Sequence, residues 1–372
     1  MKRSEDTNQF DGRTSDGLDS GGDLETKPDS VEDILRSDGG TVDSPFERTA
    51  TVEETRRDRI DRKLKDYLWT PWSIMRNDWR AIVGVSILVV YLLIGTVGVY
   101  LIDPTHPTHG ESLVGPFEDW SHPLGTDQSG QDILSMTVYS TVPILQMMGA
   151  GALFTIVLGT GFGLVSGYKG GMVDTVLSSI TDVFINIPGL PLVIVLSVLL
   201  EPEHPALVGV LLAAAAWAGL ARAIRSQVLT LRGEAFVEAS RAMDVPTISL
   251  LRKEILPHLM PYIVVNLVNA ARRIIFAAVA LYFLGILPYS DANWGVMLES
   301  AYRAGAVYRP DAIHWLLVPM IAISGISIGL VLLGQSLDRV FNPRARARHE
   351  RSDDGKGSEP ESEPNTTNVT QM

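Results

Sequence analysis

The sequence predicts an all-α polytopic membrane protein with six transmembrane helices. Three observations lead there. Six long runs carry almost no charge; Lys and Arg cluster at alternate connections; and the acidic surplus sits outside the runs. About 20 apolar residues cross a bilayer core as a helix. The runs are Ala81–Ile102, Ile133–Tyr168, Val183–Leu200, Ala206–Ala221, Pro257–Ser290 (interrupted only by Arg272 and Arg273) and Trp315–Leu337.

The 372-residue chain has a net charge of −12 and no cysteine. Disulfides and thiolate metal sites are therefore excluded. Residues 1–55 are rich in Asp, Glu, Ser, Gly and Thr and poor in apolar residues, which predicts a disordered acidic tail. Residues 343–372 predict a second disordered tail. The start "MKRSEDTNQF" has no apolar core, so no cleaved signal peptide is expected. Residues 56–80 form a cytoplasmic juxtamembrane segment, where Trp69, Trp72 and Trp79 stand among cations as an interfacial belt.

Cations mark the cytoplasmic side. Arg56, Arg57, Arg59, Arg62, Lys63, Lys65, Arg76 and Arg80 precede the first span, whereas Asp103 to Met136 contains neither Lys nor Arg. The N-terminus is thus placed inside, and the segment 81–137 comprises the first span and an extracytoplasmic loop. Lys169 marks a short inside turn, and "EPEHP" (201–205) turns outside. Arg222, Arg225, Arg232, Arg241, Arg252 and Lys253 place the loop 222–256 inside. Arg339, Arg344, Arg346, Arg348 and Arg351 return the C-terminus to the cytoplasm of a cell membrane. Residues 138–342 make a core of five spans, and Pro188 and Pro191 predict a kink in the third. The glycines of "GTGFGLVSGYKGG" (159–171) serve helix packing and a turn, since no Gly-Lys-Ser/Thr follows to make a phosphate loop. Topology accounts for the cationic clusters without nucleic acid.

The loop 222–256 is polar yet patterned. Phe236, Ala239 and Met243 are spaced along one face of a short helix, with Glu234 and Glu238 on another. Pro246 breaks that helix, and a second, "ISLLRKEIL", is expected to run to Pro257, giving a helical hairpin at the membrane surface. A loop with its own helices is a functional element.

Here "EASRAMD…EILP" resembles the EAA loop of ABC-importer permeases. Glu238, Ala239, Leu256 and Pro257 stand at matching spacing; Ser240 replaces the second Ala, and Asp244 replaces the family's Gly. "HPLGTDQSGQDILSM" (122–136) and "FLGILPYSDANWGVML" (283–298) are similar to segments of the C-type permeases of dipeptide, oligopeptide and nickel importers. Gln131 and Met136 stand where those permeases usually carry Arg. The resemblance covers residues 66–345.

It implies the type I importer permease fold, with five core helices and the first span packed outside. It also implies a chain that forms half of a transmembrane pathway and does no chemistry. The implied partners are a homologous second permease, two ABC ATPase subunits, an extracytoplasmic solute-binding protein and membrane lipid. No cofactor or metal is implied. The ATPase-docking residues would be Glu234, Phe236, Glu238, Ala239, Ser240, Met243, Asp244, Leu256 and Pro257. The solute is expected to be peptide-like, with a nickel chelate or a sugar derivative as alternatives. An intramembrane enzyme is the distant alternative, because none of the seven histidines lies mid-span beside a nucleophile. Arg272 and Arg273 lie inside the fifth span about 100° apart, so at least one is expected to face the bundle interior or a water-filled path.

Overall fold

The computed structural model describes Arg76 and residues 78–104, 111–287 and 293–341. The expected tails 1–55 and 343–372, and most of segment 56–80, lie outside the described residues, as does the stretch 288–292. Among the described residues every regular element is helical, and the elements follow the apolar runs.

Helix α1 (Trp79–Leu101) begins at an Asp78 cap and passes through a π turn at Ile94–Gly98. Helix α2 (Ile133–Lys169) is capped by Asp132, whose carboxylate accepts from Ser135 N. The next span is broken: α3 (Gly171–Asn186) and α4 (Gly189–Leu200) meet at 89°. So is the one after it, where α5 (Pro205–Leu212) and α6 (Ala216–Leu231) meet at 54°. A short helix, α7 (Ala235–Ala242), leads to α8 (Thr247–Phe283), then to α9 (Trp294–Arg303) and α10 (Ile313–Phe341). Four helices are long and apolar enough to cross a membrane, and each bent pair taken as one span makes six.

Four boundaries differ from the sequence reading. The fourth span runs to Leu231, ten positions past Ala221, so the first part of the expected loop 222–256 is helix α6. The third span starts at Gly171, twelve positions before Val183, because its acids are paired: Asp174 with Arg225 and Asp182 with Arg222. The expected kink at Pro188 is a complete break, since Ile187 is extended (ψ 124°), as the ring of a following proline requires. The helix after Pro246 does not stop at Pro257. It widens into a π turn at Leu251–Ile255, where Leu256 N–H donates to Leu251 O, and continues as the fifth span. That wider turn accommodates a proline that lacks an N–H and crowds the preceding turn.

Helix α2 is the spine of the bundle and packs on α5, α6 and α8. Its contacts are backbone to backbone. A Cβ on Gly209 would lie 2.1 Å from Met147 O, and one on Gly151 would lie 2.3 Å from Gly209 O. Farther along, Gly163 abuts Ala221 O and Gly167 abuts Arg225 O. Small residues allow this approach where lipid supplies no hydrophobic drive between helices. The main core joins α2, α8, α9 and α10 around the fully buried Trp294, whose Nε1 donates to Thr137 O at 3.1 Å. Helix α1 lies at the periphery against α10 and is largely exposed.

The 111–132 segment is a folded loop over the start of α2. The Asp127 carboxylate accepts from Ser129 N and Gln131 N, both at 2.8 Å. Burial pushes the Asp127 carboxyl above its ordinary value, against those two donors. Gly125 (φ +84°) lets the loop pass under His314, which would be 2.7 Å from a Cβ there. The "HPLGTD" stretch is therefore a structural clamp on the α2 cap.

The close approach of α2 and α5 predicts opposite effects for two Gly-to-Ala changes. Gly209→Ala should lower the thermal midpoint of the purified protein in detergent, by an amount equivalent to about 1–3 kcal/mol of overpacking. Gly161→Ala, where nothing lies within 4 Å of the added carbon, should leave the midpoint unchanged or raise it.

Candidate functional site

The loop joining α6 to α8 folds as the sequence pattern demands. Glu234 is extended (ψ 145°) and starts α7 without a side-chain cap. Val237 and Ser240 form the buried face of α7. Val237 packs into a cluster made by Ile224 and Val228 of α6 and by Leu250, Leu251, Ile255 and Leu259 of α8. The Ser240 hydroxyl donates to Phe236 O at 2.9 Å, so this side chain is held inward. Phe236 is half-buried and stacks on His258, with ring centroids 4.9 Å apart. Arg241 lies over the Tyr168 ring at 5.0 Å, and its Nε donates to the Tyr168 hydroxyl at 3.3 Å. Helix α7 is thereby fixed to the ends of α2 and α8.

The remaining face is open. Glu234, Glu238, Ala239, Met243 and Asp244 are exposed, Met243 at 72%. Leu256 and Pro257 are half-buried inside α8, thirteen and fourteen positions past Met243. Phe236, Ala239 and Met243 were expected to share one face of the helix. The structure separates them, turning Phe236 toward His258 and leaving the other two in the open.

Asp244 ends α7 in the left-handed region, at φ +57°. Asp244 N–H donates to Arg241 O at 3.0 Å, and Val245 N–H reaches back to Ser240 O at 3.2 Å. This pair of bonds is the Schellman closure, which usually places Gly at the left-handed position. Asp tolerates that conformation better than most residues. The loop therefore keeps the tight turn without its glycine.

Two ion pairs lie beside the loop, and the sequence reading used their arginines only as topology marks. Arg225 grips Asp174 with two bonds of 2.6 Å (Nε to Oδ1 and Nη2 to Oδ2), and Arg222 Nη2 pairs with Asp182 Oδ1. With Ser166, Ser178 and Thr181 they line a polar cavity of about 320 Å³ between α2, α3 and α6. The one sequence signal was the pair of acids at 174 and 182 beside an apolar run.

In α8, Arg273 is exposed and Arg272 half-buried. Among the described residues neither pairs with a carboxylate. Arg273 lies on the exposed stripe that continues through Phe276, Ala280 and Leu284.

A helical bundle with apolar spans and a folded polar loop defines a multi-span membrane protein. Residues 159–347 match the family described as binding-protein-dependent transport system inner membrane component. The dipeptide transport system permease protein DppC of Bacillus subtilis is 30% identical over 298 residues, covering 78% of this chain and 89% of that protein. The oligopeptide transport system permease protein OppC of the same organism is 28% identical over 273 residues, covering 73% and 88%. A structure of the MetNI methionine ABC transporter in inward-facing form aligns over 55% of this chain and 96% of that one, at 20% identity and a TM-score of 0.38. The chain belongs to the family of inner-membrane components of binding-protein-dependent transport systems. It is a multi-pass permease subunit of an ABC importer, and ATP hydrolysis belongs to separate subunits.

The turn at Asp244 yields a graded prediction. Asp244→Gly should leave amide hydrogen exchange across 235–246 as slow as in the parent or slower. Asp244→Val should speed it, because a β-branched side chain in this conformation costs about 1–2 kcal/mol.

Proposed function

We propose that this permease forms half of the transmembrane passage for a peptide-like solute. A homologous second permease would supply the other half. Two ABC ATPase subunits would dock beneath the pair, one of them on the 222–256 loop of this chain, and an extracytoplasmic solute-binding protein would deliver the solute. The observation that carries this reading is α7 itself: a short helix fastened on one side by Val237, Phe236 and Arg241, with Glu238, Ala239 and Met243 left open on the other. A helix that is rigidly backed and openly faced can receive force from a partner and pass it to α2, α6 and α8. The peptide reading draws on the names of the DppC and OppC relatives.

The cations at 222, 225, 232 and 241 favour a cytoplasmic loop, and hence cytoplasmic termini. Arg272 and Arg273 are proposed as passage residues that favour solutes bearing a carboxylate. An intramembrane cation is costly unless it meets water or a partner, which favours a wet or protein-covered position for the exposed Arg273.

The native chain has no cysteine, so Ala239→Cys and Met243→Cys each introduce a single thiol. Both should cross-link to a co-expressed ATPase subunit, and free labelling of both in the assembled complex would contradict docking here. Glu238→Lys should reduce ATPase stimulation and dipeptide uptake in reconstituted vesicles more than Glu5→Lys does. Equal activities in the two variants would remove the charge of Glu238 from the docking surface.

A further inference from the structure

The breaks in both bent spans open into one recess. Its cavity of about 550 Å³ is lined at the first break by Ile187 and Gly189, at the second by Ala215 and Ala216, and across from them by Ala280 and Leu284 of α8. The walls are apolar, yet lipid is a poor occupant. At Ile187–Pro188 and at 213–215 the regular helical ladder lapses, and both breaks fall inside uncharged runs; turn bonds bridge the second, where Ala213 is buried, whereas Pro188 and Gly189 at the first are exposed. Non-helical backbone within a bilayer is tolerated only where protein buries it or water reaches it. A second observation points the same way. Arg273 precedes Ala277, another lining residue, by one helical turn, and successive exposed positions carry its stripe through Ala280 and Leu284. A cation on that stripe also requires water or a counter-charge.

We propose that this recess is a seat within the solute passage, where the apolar walls hold an apolar side chain of a small peptide and Arg273 meets its carboxylate. The proposal rests on the peptide reading above for its ligand, and on the helix breaks for its place. An apolar wall beside a guanidinium suits a solute with both features, because a desolvated charge-assisted bond to carboxylate adds to apolar burial. Selection would then occur in the membrane subunit itself, whatever delivers the solute.

The test uses the assembled importer in vesicles, with Gly189→Cys, Gly219→Cys and Ala280→Cys introduced singly. Gly189 and Gly219 line the recess and have nothing within 4 Å of an added Cβ, so both accept the change. Val157→Cys, exposed on the unbroken α2, is the control. Thiols react as thiolates, which form only where water reaches, so a charged methanethiosulfonate should modify the recess sites about tenfold faster than the control or more. Dileucine should slow that modification, and dileucine amide should do so less. Arg273→Gln should abolish the difference between acid and amide while the recess remains reactive. Recess sites no faster than Val157→Cys, or sites that cross-link to the second permease without labelling, would overturn the seat. Equal protection by acid and amide in the parent would overturn the role of Arg273. Uptake of dileucine in the same vesicles separates the two readings: uptake without protection of the recess sites would overturn the seat and leave the peptide reading standing, whereas the absence of both uptake and protection would overturn both.

Discussion

Backbone-to-backbone packing along α2 is the constraint on which the other features depend. In a bilayer, lipid tails compete with side chains on equal terms, so helices associate through close fit and polar contacts. Gly151, Gly163 and Gly167 of α2 bring that helix against the backbone of α5 and α6. The consequence is positional. Helix α6 cannot tilt on α2 without a clash of main-chain atoms, and α6 leads directly into the loop that carries α7. The loop then inherits the rigidity of the seam.

Polar contacts complete the unit at the loop end of the bundle. Arg241 on Tyr168 ties α7 to the end of α2, and the Arg225–Asp174 pair ties α6 to the start of α3. From Asp174, α3 runs to the break at Ile187. A contiguous set of contacts thus joins the open face of α7 to the helix that borders the recess. On the proposed docking, a push on α7 would be delivered to a connected group of helix ends, and the broken spans would be the places where the bundle opens.

Much of this was legible in the sequence. Uncharged length located the spans, and Pro246 located the end of α7. The glycine-to-aspartate replacement at 244 also pointed to the turn, because its φ of +57° is the conformation the missing glycine would have supplied. Three features were hidden for identifiable reasons. The break at 213–215 lies in a run of alanines, a strong helix former that gives no local signal. The early start of α3 depends on arginines 40 and 51 positions away, so its acids read as the edge of a span until their partners are known. The continuity of α8 through Pro257 depends on a π turn, which the sequence pattern does not announce. In the loop between α6 and α8, period-based reasoning found the helix but not the partner of Phe236, whose ring stacks on His258 from another element.

The central claim is that α7 and the helix ends beneath it move as one body. Spin labels at Met172→Cys and Met243→Cys would report it directly, since both side chains are exposed and the native chain supplies no competing thiol. Met172 sits on α3 beside Asp174, and Met243 sits at the end of α7. Pulsed dipolar spectroscopy on the assembled importer, without nucleotide and with a trapped ATP state, should give one narrow distance that is the same in both. A distance that lengthens or broadens when ATP binds would show that the loop moves against the spans and would contradict the account.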